Sequence, residues 1–352
     1  MPAVDVTQVA ALVLAAGATG TVWGVLRRRK SRNEPQPPAG PGTGPAGVEP
    51  PWAVVVANPT KFLDPVGEIE WLEERSVALG WARPVWLETT VDDPGVGQAR
   101  VAVRAGAHAV LAYGGDGTVR AVASVLTGTG VPLGILPAGT GNLLARNLVV
   151  PFSDLDAALA VALNGTTRAI DVGRVEIDVS GEDRPAREET FLVMAGLGFD
   201  AEVMATVAPR LKERVGWWAY VVAGTRRLRG RRTRVVLTID DREPVRRRLR
   251  SVIVGNCGEL TGGVRLMPEA RIDDGRLDVV VVAPRGVWGW MAVTGTVLTR
   301  SRRGHPVVEH FTSRRVEIRA ERPLHVQLDG DPAGMARVLR AEVRPGALTV
   351  RA

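Results

Sequence analysis

The chain has 352 residues, 45% of them hydrophobic and 24% charged, with a formal net charge of +7 and a single cysteine. That apolar share excludes global disorder and supplies cores for one large domain or two ordinary ones. The lone Cys257 excludes an intrachain disulfide framework and reads as a small buried residue, and no Cys/His spacing suggests structural zinc.

Residues 6–26 carry no charge and run into Arg27-Arg28-Arg29-Lys30. A helix of that length spans roughly 30 Å, so the sequence predicts one transmembrane helix. The basic run places the rest of the chain on the cytoplasmic side of the cell membrane. A cleaved signal peptide fits less well, because Asp5 precedes the apolar stretch and the basic run follows it. Residues 27–51, basic and then rich in Pro and Gly, read as a linker.

Folded structure is predicted to begin with the apolar run Trp52 to Ala57, a buried strand ended by Asn58-Pro59. A helix over 65–80, a strand near 83–88, a helix over 94–105 and a strand over 109–113 follow. Val119 to Leu126 reads as a helix and Val131 to Leu136 as a strand. This alternation predicts a three-layer α/β domain over 52–170 with a mainly parallel sheet. Strand-like runs then occupy 172–179, 190–195, 233–239, 249–255, 277–282, 314–319, 324–328 and 337–343. They predict a β-rich domain over 171–330, with 331–352 completing the cleft or returning to the first domain. Helical interruptions near 200–228 and 286–301 carry Trp217, Trp218, Tyr220, Trp288 and Trp290, suited to a lipid entrance or to helix–sheet packing.

Arginines cluster at 226–232 and 246–250. Such clusters suit an anionic membrane surface, or are ordinary solvated faces. No aromatic platform or recognition-helix pattern accompanies them, so no nucleic-acid partner is expected.

The chemistry centres on Gly114-Gly115-Asp116-Gly117-Thr118, between a strand and a helix. Glycines let backbone donors approach phosphate oxygens, and a helix start favours negative charge. Thr118 can donate its hydroxyl or cap the helix. Asp116 can act through Mg²⁺, orient a donor or accept a substrate proton. The competing reading is a tight turn with Asp116 as a helix cap.

Further segments narrow the choice. VVVANPTKF, YGGDGTVRAV, LGILPAGTGNLLARNL, GNCGELTGGVRLMPEARIDDGRLDVVVV and LDGD occur in that order over about 52–345. Together they resemble the diacylglycerol kinase catalytic family, bacterial lipid kinases related to diacylglycerol, sphingosine and ceramide kinases. The resemblance implies a phosphofructokinase/NAD-kinase-like α/β domain followed by a β-sandwich-like domain, with ATP in the cleft between them. It places Asn58, Pro59, Thr60, Lys61 and Phe62 in the nucleotide site, with Thr89 or Thr90, Gly114 to Thr118, Thr140 and Asn142. A metal site is implied at Asp274 with the backbone carbonyls of Arg271 and Arg276, suited to Mg²⁺. Asp331 stands where relatives carry a Glu assigned as proton acceptor, leaving Asp331 and Asp116 as rival bases, with Asp329 in the supporting turn. The chain departs from the family at Lys61-Phe62, usually Ser-Gly, and at Leu143, usually Asp.

The implied reaction is ATP- and Mg²⁺-dependent phosphorylation of a lipid hydroxyl, foremost diacylglycerol to phosphatidic acid. Sphingosine-like or ceramide-like acceptors, a soluble acceptor such as NAD, and noncatalytic anionic-lipid binding are the alternatives. Homodimerisation is left open.

Overall fold

The structure is a computed structural model that describes residues 49–182, 186–198, 232–259, 267–284 and 308–352. The expected span at 6–26, the linker up to residue 48, the basic stretch 226–231 and the aromatic segments 215–222 and 288–291 lie outside the described residues. Among the described residues no helix is long and apolar enough to cross a membrane. The longest, α1 (Pro65–Ala78), has 14 residues. At 1.5 Å per residue it reaches about 21 Å, short of a hydrocarbon core of about 30 Å. The expected fold with a transmembrane helix is therefore corrected to an α/β unit joined to a β-rich unit, and the single-pass membrane placement falls with it.

Four parallel strands form the first unit: β1 (Ala53–Ala57), β2 (Val85–Glu88), β3 (Ala109–Gly114) and β4 (Leu133–Pro137), in the order β2-β1-β3-β4. Strands β1 and β3 are buried along their whole length. That is why they read as unbroken apolar runs rather than alternating ones, as expected for strands covered on both faces. Helix α1, α2 (Val96–Arg104), α3 (Asp116–Leu126) and α5 (Leu155–Asn164) are the longer helices of this unit, and short α4 (Leu143–Asn147) follows β4. Asp64 and Asp154 cap α1 and α5 by accepting the Gly67 and Ala157 amides. Pro132 stands just before β4, where its missing N–H costs nothing, and its carbonyl accepts the Val110 amide.

The second unit is antiparallel. It comprises β5 (Thr167–Asp178), β6 (Arg187–Phe191), β7 (Met194–Leu197), β8 (Thr233–Ile239), β9 (Val245–Leu249), β10 (Ser251–Gly255), β11 (Leu277–Val282), β12 (Val308–Ser313), β13 (Arg315–Leu328) and β14 (Asp331–Arg351). Period-2 alternation sorts its side chains into two cores. Val252 and Val254 join the core of the β-rich unit, whereas Ile253 between them joins the core of the α/β unit. Val280 and Val282 do the same on β11, against Val279 and Val281. The sheet also runs between the units without a break. Strand β14 pairs with β13 and β5, and near its end Val350 pairs in parallel with Leu133 of β4.

Candidate active site

Strand β3 ends at Gly114, and α3 starts at once with Asp116, inside the glycine loop and three residues earlier than the apolar periodicity suggests. Gly115 is the N-cap and offers no side chain to the first-turn amides, which leaves them for an anion. Thr118 is buried and folds back over Gly114, where a Cβ would lie 2.6 Å from its Oγ1.

The PAGTGN loop lies directly against this one. Ala138 donates its amide to the Gly114 carbonyl at 2.9 Å. A Cβ on Gly139 would stand 2.7 Å from the Gly115 Cα, so the backbones approach as only glycines allow. Asn142 closes its own loop: its Oδ1 accepts the Gly139 amide at 3.0 Å and its Nδ2 donates to the Gly139 carbonyl at 2.8 Å. It does so in the left-handed conformation, with φ at 48°, which Asn tolerates better than most residues. Asp116 then ties the two loops together by accepting the Leu143 amide at 2.6 Å, at the start of α4. Burial pushes the Asp116 carboxyl up to about 6, with Asp329 and Asp331 adding to the rise and the Leu143 amide opposing it. Thr140 is exposed on the rim.

The LDGD segment arrives from the β-rich unit as a two-residue hairpin. Leu328 pairs with Asp331, and both Asp329 and Gly330 have positive φ, 49° and 91°. This is the Asp-Gly turn that a right-twisted hairpin favours. The two acids separate in role. Asp329 is buried and accepts the amides of Leu192, Val193 and Met194 at 2.8–3.2 Å, so it holds β7 to the turn. Asp331 is half exposed. One of its carboxylate oxygens, Oδ2, lies 3.1 Å from where a Cβ would stand on Gly117, over the first turn of α3.

Arg120 joins the halves, a role the sequence reasoning missed. Its Nη1 donates to the Leu328 carbonyl at 2.8 Å and its Nη2 to Asp331 at 3.0 Å, while Asp329 lies 3.8 Å away. The available signal was its place one helical turn after Asp116, a spacing that puts both on one face of α3.

The NPTKF segment forms a short 3₁₀ turn (Pro59–Lys61) capped by Asn58, whose Oδ1 accepts the amide and the hydroxyl of Thr60 at 3.1 and 2.8 Å. The Asn58 amide itself donates to the Tyr113 carbonyl, one residue before the glycine loop. Phe62 packs on Tyr113 and Trp86 with ring centroids at 4.4 and 5.8 Å, and Lys61 is exposed. Thr89 is buried with its amide on Ala57. Thr90 is exposed, and its hydroxyl accepts the Asp93 amide.

The DDGR turn is placed elsewhere. Asp274 accepts the Arg276 amide at 3.0 Å, and burial raises its carboxyl above the usual range, with Asp171 adding to the rise. Asp171 binds the amides of Gly275 and Gly346, which fastens this turn to the far end of β14 from Asp331. Among the described residues no group of three or more His, Cys, Asp or Glu side chains could hold a metal ion. One partly buried carboxylate with backbone carbonyls near it in the chain still fits a hard cation. Cys257 is buried, and burial pushes its thiol up, so it carries no chemistry here.

Two family models match the chain: the diacylglycerol kinase catalytic domain over residues 85–175 and the YegS C-terminal NAD kinase beta sandwich-like domain over 193–352. A YegS-like lipid kinase of Pseudomonas aeruginosa is 37% identical over 262 residues, which cover 71% of this chain and 78% of the relative. This chain belongs to the YegS-like lipid kinase family. It is therefore an ATP-dependent lipid kinase. A diacylglycerol kinase of Mycobacterium tuberculosis is 36% identical over 183 residues, 51% of this chain and 56% of that protein. A diacylglycerol kinase structure from Bacillus anthracis shares the fold, with a TM-score of 0.62 at 19% identity over 87% of this chain and 98% of that one.

Proposed function

We propose that this kinase transfers the γ-phosphoryl group of ATP to the free hydroxyl of diacylglycerol, giving phosphatidic acid and ADP, with Asp331 as the proton acceptor. The observation that carries this reading is the different condition of the two rival carboxylates. Asp116 is buried and spends an oxygen on the Leu143 amide. Asp331 is half exposed over Gly117 and held from the side by Arg120.

The division of labour follows. The amides at the start of α3 and the PAGTGN loop carrying Thr140 and Asn142 cradle the triphosphate. The Asn58–Phe62 turn, Lys61 included, and the Thr89–Thr90 corner flank it at the ends of β1 and β2. Asp331 takes the acceptor proton as the lipid oxygen attacks the γ-phosphorus and ADP leaves on the opposite side. Asp116 keeps the two loops in register, and its second oxygen, close to Gly141, suits a cation carried with the nucleotide. Mg²⁺ bound there supplies charge neutralisation of the phosphates. Asp274, with the carbonyls of Arg271 and Arg276, would hold a second Mg²⁺ with a structural or regulatory role. The α/β unit over 52–170 binds the nucleotide and the β-rich unit after 171 presents the lipid, with 331–352 spanning both.

The test is transfer from labelled ATP to a panel of dispersed lipids, with products identified by mass. Label in phosphatidic acid supports the assignment. Label in a sphingoid or ceramide product instead would move the acceptor while keeping the chemistry.

A further inference from the structure

A groove of about 630 Å³ lies over β8, β9, β13 and β14, outside the site described above. Its lining holds Arg234, Arg246, Arg247, Arg248, Arg319 and Arg337 against one carboxylate, Glu321. Arg247 is paired with Glu309 at 2.9 Å. Arg319 is paired with Glu317 at 3.5 Å and donates to the Gly181 carbonyl, and Arg337 donates to the carbonyls of Ser180 and Glu321. Arg234, Arg246 and Arg248 are exposed, and no carboxylate among the described residues pairs with their side chains.

The register sharpens the anomaly. Arg248 stands directly opposite Arg234 across the β8–β9 ladder. Arg246 stands opposite Val236, which in turn faces Arg319 on β13. Like charges opposite one another destabilise a ladder, and an anion between them reverses the sign of that interaction. Guanidinium forks match phosphate oxygens in geometry. The volume falls in the range of small-ligand sites. Of its apolar residues Val235, Ala320 and Val338 are buried and only Val236 is partly exposed, and no aromatic side chain lines it. It therefore lacks the stacking platform of a nucleic-acid groove, and its accessible chemistry is that of the guanidinium groups, which suits a phosphate.

Strand β14 links the groove to the chemistry. Arg337 and Asp331 lie on it six residues apart, about 20 Å at the rise of an extended strand. We propose that this groove docks the phosphate headgroups of anionic phospholipids, so that the membrane-facing side of the enzyme is fixed while Asp331 works on a lipid of the same leaflet. The last clause rests on the lipid-kinase assignment; the docking itself does not.

The experiment measures partition of the full chain to phosphatidylcholine vesicles with and without about 30% phosphatidylglycerol. The readout is the ratio of the two partition coefficients. The wild type should prefer the anionic vesicles, and the triple variant Arg234→Gln/Arg246→Gln/Arg248→Gln should lose roughly 100-fold of that ratio. The corresponding triple Lys variant should keep most of it. If the triple Gln variant unfolds, Arg246→Gln alone should lose roughly 5-fold. An unchanged ratio in the Gln variants, or a wild type indifferent to lipid charge, would overturn the proposal. So would full competition by millimolar inorganic phosphate, which marks a free-phosphate site, or an equal arginine-dependent affinity for RNA. Turnover of diacylglycerol in neutral detergent micelles should be the same for wild type and triple Gln variant. Absent turnover in both would sink the kinase assignment and leave the vesicle ratio to decide the groove.

Discussion

The two halves of the molecule each bring a carboxylate to the cleft, under opposite physical conditions. Asp116, from the α/β half, is buried, raised toward neutrality and bonded to a backbone amide of the neighbouring loop. Asp331, from the β-rich half, is half exposed and fixed by a cation from the other half. A group that must gain and lose a proton at each turnover is best placed where water and substrate reach it. A group that must hold loops in register is best placed where they do not. The contrast teaches that motif membership alone does not separate the two proposed jobs, since each acid directly follows a glycine in its motif.

The largest break in that contrast comes from Asp331→Asn. It should lower kcat by about 10²–10⁴-fold with little change in the KM for ATP, read in the labelled-transfer assay. Unchanged kcat would assign the proton elsewhere and leave Asp116 as the remaining candidate.

Arg120→Met should come next. It removes the donor shared by Asp331 and the Leu328 carbonyl, and should lower kcat by about 10–100-fold through misplacement of the base. It should also cost about 2–3 kcal/mol of stability in chemical denaturation. Arg120→Lys should recover part of kcat, an effect that a purely space-filling role does not predict.

Asp116 can be sharpened by pH. Its carboxyl is raised to about 6 in the fold from an ordinary value near 3.8. Between those values the folded chain holds more protons than the unfolded one, so this group's contribution to stability falls as pH rises from about 4 to 6. Asp116→Asn keeps an acceptor for the Leu143 amide and removes the titration. Relative to wild type the variant should therefore gain stability with rising pH, by about 3 kcal/mol at most across that window. Parallel denaturation curves at pH 4 and pH 7 check the sign.

The smallest expected effect belongs to the DDGR turn. Mg²⁺ should raise the thermal midpoint of the wild type, and Asp274→Asn should abolish that rise, worth about 1 kcal/mol at a few times the dissociation constant. Turnover should fall only slightly, because this turn is fastened to the opposite end of β14 from Asp331.

Much of this was legible in the sequence. Val54, Val55 and Val56 announce a buried strand, and Asp329 reads as part of a turn, although not as the hairpin that joins β13 to β14. The helices α4 and α5 escaped because one is only 5 residues long and the other is so uniformly apolar that its period is faint. The runs 314–319 and 324–328 read as two strands where one bulged strand exists, because the register shift interrupts the alternation between them. Residues 249 to 255 read as one strand where two meet at Arg250, because Leu249 and the apolar run Val252 to Val254 flank it closely. Arg120 and Asp171 were missed for a different reason. Each works through partners more than 100 positions away, and although the helical spacing from Asp116 marks the face that Arg120 occupies, no local pattern names the partner. The transmembrane expectation rested on hydropathy and flanking charge alone, and no described helix supports it.

Strand β14 carries a consequence for how the protein is made. Its first residue is the proposed base and its penultimate residue, Val350, closes the sheet of the nucleotide-binding half against β4. As the ribosome extends the chain, β4 stays an unpaired edge on that side until residue 350 has emerged. The base, meanwhile, has no Arg120 contact until the hairpin at Asp329-Gly330 forms. A product truncated before residue 350 therefore leaves that edge of β4 open to degradation or aggregation, and one truncated before residue 331 also lacks the proposed base.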